Sequence, residues 1–179
     1  SCNMLFAGDN AQLVFGNTGE YMSDLKNAAG YKPFRDYILT SNYRSTKEIT
    51  DFAVNYSGLQ TDEIKCVRRG SEPQIISGAN DLPFAVNKYI EECSRKGYKS
   101  VAVLCLTQKE ADSLKPTIES SDSDMRVSVL PVYMAKGLEF DCVAVVNCGK
   151  RISNADNKNG TCVLYTACTR AMHDLAVFE

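Results

Sequence analysis

The sequence predicts an α/β protein built on a doubly wound, mostly parallel sheet. Two observations predict it. Strand-like and helix-like segments alternate from about residue 74 to the end of the chain, the order that places helices on both faces of a parallel sheet. The stretch Ser100–Leu106 is a continuous apolar run, as expected of a strand buried on both faces.

The elements follow in order. Met4–Ala7 is a short apolar run ending at Gly8-Asp9, and it reads as the last strand of a sheet whose earlier strands lie outside this chain. Residues from about 17 to 32 are weakly periodic and carry glycines, so they read as a connecting segment with one short helix. Ser45-Thr46-Lys47-Glu48 has the form of a capping box, and Ile49, Phe52, Ala53 and Tyr56 follow at helical spacing before Gly58. A helix over about 46–56 is predicted. Gln74–Ser77 reads as a strand. Asp81–Arg95 reads as an amphipathic helix with Leu82, Ala85, Val86, Tyr89, Ile90 and Cys93 on one face and Gly97 beyond it.

After the strand Ser100–Leu106, Thr107-Gln108-Lys109-Glu110 is a second capping box, opening a helix that presents Ala111, Leu114 and Ile118. A polar loop at Ser120–Asp124 leads to strands at Arg126–Tyr133 and Cys142–Cys148. A polar loop over Gly149–Gly160, a helix over Val163–Asp174 and a last strand over Leu175–Phe178 complete the series. There is no internal repeat and no low-complexity segment.

The 179 residues suit one well-buried domain of about 100–150 residues plus a remnant. The division expected is 1–35 as a remnant and connecting segment and 36–179 as the domain. A net charge of −2 gives no overall pull toward nucleic acid or an anionic membrane, so any nucleic-acid contact must be local. No apolar run approaches the roughly 18–20 residues that span a bilayer, and the N-terminus lacks a basic-then-apolar signal layout, which points to a cytoplasmic protein. The eight cysteines include no Cys-x-x-Cys pair, and several lie inside apolar runs. They read as reduced structural thiols rather than zinc ligands.

The segment Pro131–Asp141 joins a strand to a charged turn bearing Gly137, with a second apolar run at once after it. Ligands in open α/β sheets gather outside the carboxyl ends of strands. There Lys136 could meet phosphate or a nucleic-acid backbone, Gly137 permits close approach, and Glu139 can accept a ribose hydroxyl. The alternative is an exposed loop with solvated charges. At helical spacing Leu164, Ala167, Cys168, Ala171 and Leu175 share one face, while Thr166 and Arg170 leave from the other. Arg170 is thus expected off the core, either as a functional cation or as an ordinary surface arginine.

Arg44 immediately precedes the helix capped at Ser45, which positions its side chain; the alternative is a pair with a nearby carboxylate. Its neighbour Tyr43 is expected in the core. His173, the only histidine, falls in the last turn of the predicted 163–174 helix, where the helix dipole favours a protonated ring. Lys65, Arg68 and Arg69 form a basic cluster diluted by Glu63 and Glu72, and it reads as a solvated loop.

Four of these segments together resemble the UvrD/Rep-type superfamily 1 helicases. Ala135-Lys136-Gly137-Leu138-Glu139-Phe140 is similar to motif V of that family. Ala7–Gln12 resembles motif III, Asn42–Thr46 motif IV and Leu164–Ala171 motif VI, all in the family's order. The resemblance implies a RecA-like sheet, the second such domain of an ATP-driven DNA helicase or translocase, with residues 1–35 ending the first. It implies that Arg170 is the arginine finger acting on the transferring γ-phosphoryl group. Arg44 would meet the same phosphate, for which a planar guanidinium is suited. Gln12 would sense that phosphate, with Asp9 supporting its loop rather than binding metal. Glu139 would hold the nucleotide sugar, and Lys136 and Gly137 the loop between nucleotide and nucleic acid.

The implied cofactors are ATP and Mg²⁺, and the implied partners are single-stranded nucleic acid, DNA ahead of RNA, and an upstream RecA-like domain. Where many family members carry a histidine three residues before the motif V lysine, this chain has Tyr133. In that string it looks most like HelD-type members, which act on RNA polymerase, and an ATP-driven polymerase remodeller is the second reading. No Gly-x-x-x-x-Gly-Lys-Ser/Thr occurs to cradle phosphates, so the isolated chain is expected to lack ATP turnover. The absence of Gly-x-Gly-x-x-Gly after a first strand argues against a Rossmann-type dinucleotide enzyme.

Overall fold

The computed structural model describes residues 5–9, 12, 21–28, 30, 35, 37–57, 64–118, 124–147 and 158–179. Their elements are α1 (Tyr21–Ala28), β1 (Ser41–Thr46), α2 (Lys47–Ser57), β2 (Lys65–Arg68), β3 (Gln74–Ile76), α3 (Leu82–Arg95), β4 (Ser100–Cys105) and α4 (Gln108–Leu114). β5 (Arg126–Pro131), α5 (Val132–Ala135), β6 (Phe140–Val146), α6 (Lys158–Cys168) and β7 (Ala171–Phe178) follow. Five strands form one sheet in the order β3-β7-β6-β4-β5, with every neighbouring pair parallel. β1 and β2 form a separate parallel pair. The predicted doubly wound RecA-like sheet is the observed architecture.

Pleat alternation explains why the central strands read as unbroken apolar runs. On β4, Ala102 and Leu104 face one layer with Ile49, Leu164, Ala167 and Val132. Val101, Val103 and Cys105 face the other, with Val86, Ile90, Ala111 and Leu114. Both faces are covered, so each Val, Leu or Ile buried there contributes about 1.5–3 kcal/mol. The helix α3 matches its predicted face and is capped by Asp81, whose carboxylate accepts from the Phe84 N–H. The capping box at Thr107 and Glu110 is present in both directions.

Several expectations are corrected. The predicted helix over 163–174 is shorter, ending at Cys168, and β7 begins at Ala171, so His173 lies in a strand. Leu164, Ala167, Cys168, Ala171 and Leu175 are all buried, and spacing that suits one helical face also suits a helix end followed by a buried strand. β5 stops at Pro131 and the chain turns into α5, so Tyr133 is not in a strand.

The box predicted at Ser45 does not form, because Ser45 belongs to β1. Thr46 caps α2 by accepting the Ile49 N–H, and Glu48 instead accepts from the Gly70 N–H at 2.8 Å and from Arg69. Lys65–Arg68 is a strand rather than a solvated loop. Tyr43, expected in the core, is 71% exposed, since its face of β1 is uncovered by any described residue. Residues 5–9 form no strand and are exposed. One short helix, α1, does occupy the connecting segment. Gly58, the loop over 119–123, Cys148 and residues 149–157 lie outside the described residues.

Candidate functional site

Four of the residues expected to carry chemistry, Gln12, Arg44, Glu139 and Arg170, converge at the amino ends of β6 and β7. The sequence placed the charged turn at a carboxyl edge. In the structure β5 ends at Pro131, level with Cys105 at the carboxyl end of β4. A parallel neighbour must begin at the opposite edge, so residues 132–139 carry the chain back across the sheet. Glu139 therefore lands at the amino edge, where the Phe140 N–H donates to the Arg170 carbonyl at 3.1 Å.

Arg170 occupies the turn between α6 and β7. That turn closes on α6 through N–H bonds from Thr169 to the Tyr165 carbonyl and from Arg170 to the Ala167 carbonyl. Its side chain does not leave the core as predicted; it is 1% exposed. Nε donates to the Thr166 carbonyl at 3.0 Å and Nη1 to the Leu138 carbonyl at 3.3 Å. Nη2 donates to Gln12 Oε1 at 3.0 Å and to Thr169 Oγ1 at 3.3 Å. All of these acceptors are neutral. Burial first, and then the nearby Arg44, push the guanidinium down to about 10, against the opposing pull of Glu139 and Asp9.

Arg44 is held by a polar frame at the start of α2. The Asn42 side-chain oxygen accepts the Arg44 N–H at 2.9 Å and the Ser45 N–H at 3.3 Å, while the Asn42 amide donates to Thr50 Oγ1 at 3.0 Å. Ser45 Oγ donates to the Ala171 carbonyl at 2.7 Å, joining β1 to the first residue of β7. Arg44 Nη1 meets Glu139 Oε1 at 3.1 Å, while its Nε is buried with no hydrogen-bond partner. The ion pair is half-exposed and worth about 0–1 kcal/mol, so a ligand can recruit either partner at little cost.

Gln12 joins through its side chain, donating from Nε2 to Asp9 Oδ2 at 2.9 Å while accepting from Arg170. Asp9 thus supports the Gln12 position. Four segments far apart in sequence bring Gln12, Arg44, Glu139 and Arg170 to one place. Lys136 and Gly137 are exposed in the turn after α5, and no described hydrogen bond or ion pair brings Lys136 into the cluster. Gly137 has φ +86°, which explains the glycine. That turn's contribution to the cluster is the Leu138 carbonyl. Sequence reasoning missed Leu138, which acts through its backbone. It also gave no role to Asn42, although a short amide side chain two residues before Arg44 is a known signal for local backbone capture. Among the described residues, no group of three His, Cys, Asp or Glu side chains could hold a metal ion.

The chain is similar in structure to a domain described as the C-terminal domain of a possible DNA helicase from Lactobacillus plantarum WCFS1. The TM-score is 0.57 at 27% sequence identity, over 76% of this chain and 86% of that one. No family model matches the sequence, and no curated protein matches it.

Proposed function

We propose that the chain is the second RecA-like domain of a UvrD/Rep-type ATP-driven DNA helicase or translocase. One observation carries the reading. Arg44 and Arg170 lie near the carboxylates of Glu139 and Asp9, yet Arg170 donates only to neutral acceptors, and Arg44 keeps an unpartnered buried Nε–H. That arrangement suits an arriving phosphate, which would offset the desolvation of the Arg170 charge and satisfy the orphan Arg44 donor. The likeness to a helicase C-terminal domain supports the same reading.

In this mechanism Arg170 acts as the arginine finger and Arg44 as a second cation on the γ-phosphoryl group. Gln12, held between Asp9 and Arg170, reports phosphate occupancy to the preceding segment. Glu139 exchanges Arg44 for a sugar hydroxyl. ATP and Mg²⁺ would be held chiefly by an upstream RecA-like domain, with single-stranded nucleic acid as the track along which closure and reopening of the cleft drive movement. The turn of Lys136 and Gly137 lies between the two ligands in this arrangement. The HelD-like string around Tyr133 favours RNA polymerase remodelling as a second reading.

The test is steady-state ATP hydrolysis by the complete protein that contains this domain, wild type and Arg170→Ala, with single-stranded DNA or RNA polymerase added. Loss of turnover by about 10³-fold or more, with nucleotide binding retained, is expected. Unchanged turnover would remove the finger and the mechanism built on it. Whichever addition activates the wild type separates helicase from polymerase remodeller.

A further inference from the structure

Arg44 sits in an interruption of the β1–β2 ladder. Asn42 pairs with Cys66 but Thr46 pairs with Arg68, so the offset falls from 24 to 22 residues between the two pairs. β1 therefore carries two extra residues over Tyr43–Ser45, which have no partner in the register. Burial records the same break. Tyr43 is exposed and Arg44 half-buried, but Ser45 and Thr46 are both buried, where an unbroken strand would alternate. A bulge of this kind turns a side chain away from the direction that a regular strand would give it.

Two side chains hold the backbone of Arg44 where the ladder is broken. Earlier in β1 the Thr40 carbonyl accepts the Lys65 N–H at 2.8 Å. Carbonyls two residues apart face the same neighbour in a regular strand, so an unbroken β1 would offer the Arg44 carbonyl to a backbone donor of β2. Here the Arg68 guanidinium donates to it, from Nη1 at 2.5 Å. The Asn42 side-chain oxygen accepts the Arg44 N–H at 2.9 Å and the Ser45 N–H at 3.3 Å. Arg68 is braced in turn. Its Nη2 lies over the imidazole of His173, 2.7 and 3.3 Å from the two ring nitrogens, and the Tyr98 ring stacks on that imidazole with centroids 5.5 Å apart.

We propose that Arg68 is a positioning residue whose guanidinium bridges the bulge and fixes the direction in which Arg44 leaves β1 toward Glu139. Arg68 acts through Arg44 and touches no nucleotide itself. Its consequence for phosphate rests on the cleft reading of Arg44. Lysine in its place would keep a donor but lose the planar fork that reaches the carbonyl and the imidazole together.

The aim of Arg44 is tested first without a ligand. In the ¹⁵N-labelled chain, Glu139→Gln is expected to shift the Arg44 Nε–H resonance, because the two side chains meet at 3.1 Å. In an Arg68→Met background the same substitution should leave that resonance in place, and in Arg68→Lys the shift should be intermediate. An undiminished shift in Arg68→Met would overturn the positioning role.

The second measurement is Kd for pyrophosphate in the wild type, Arg68→Met, Arg44→Met and the double variant. Arg68→Met should weaken binding about tenfold, a hydrogen bond to a charged group being at stake. In the Arg44→Met background it should cost nothing further, since residues that act as one unit are not additive. Equal losses in both backgrounds would overturn the proposal, because Arg68 would then act by a route other than Arg44. Passage of the Glu139 test together with wild-type affinity in Arg44→Met would uphold the positioning role and overturn the assignment of Arg44 to nucleotide.

Discussion

A buried arginine with only neutral acceptors is costly to the fold and useful to a phosphate site. For Arg170 the two effects can be separated. Arg170→Met keeps the volume and removes the desolvated charge, and stability should change by less than about 2 kcal/mol, since replacing buried charge by packed apolar groups is often neutral or favourable. Pyrophosphate should raise the melting temperature of the wild type. Full occupancy at about 100 times Kd corresponds to about 2.7 kcal/mol. In Arg170→Met and Arg44→Met the response should be lost, and a response that survives in both would place the anion elsewhere. The sequence singled out both arginines, and the structure brings both into the cluster. It erred on the environment of Arg170, because helical spacing continues through Ala171 and Leu175 with no glycine or proline to mark the stop at Cys168.

At the scale of elements, α2 is fixed at its start by contacts that local pattern does not reveal. Glu48 fits a capping box on paper, yet its carboxylate reaches the Gly70 N–H and Arg69, tying α2 to the segment after β2. Its own backbone amide first, and then Gly70 and Arg69, hold the carboxyl below the usual glutamate range. A depressed carboxylate stabilises the fold above its unfolded value and loses that contribution as pH falls through the folded one. Wild type should therefore melt above Glu48→Gln near neutral pH, and the gap should close on acidification below about pH 4. A gap independent of pH would show that the ionised form contributes nothing. By contrast the Thr107–Glu110 box was legible, because both partners lie within one turn and nothing from another element competes for them.

At the scale of the molecule, the described residues place two arginines, a glutamine and a carboxylate on one edge of a parallel sheet. The sequence contains no phosphate-cradling loop of the Gly-x-x-x-x-Gly-Lys type. Under the proposed function this chain forms one wall of a cleft, so it should hydrolyse ATP at no detectable rate by itself. Turnover matching that of the complete protein would overturn the shared-cleft mechanism. Among the described residues no helix is long and apolar enough to cross a membrane.

By itself the sequence determined the alternation of strand and helix, the two-faced burial of β4, the capping box at Thr107, and which polar residues to look for in the cluster. These depend on periodicity and on bonds closed within a few residues, which the order of residues records directly. Only the tertiary structure decided that Glu139 lies at the amino edge of the sheet, that Arg170 is buried, and that β1 and β2 pair. These rest on contacts between segments from 22 to 158 residues apart, set by strand order and register, and no local spacing encodes which strand will be the neighbour.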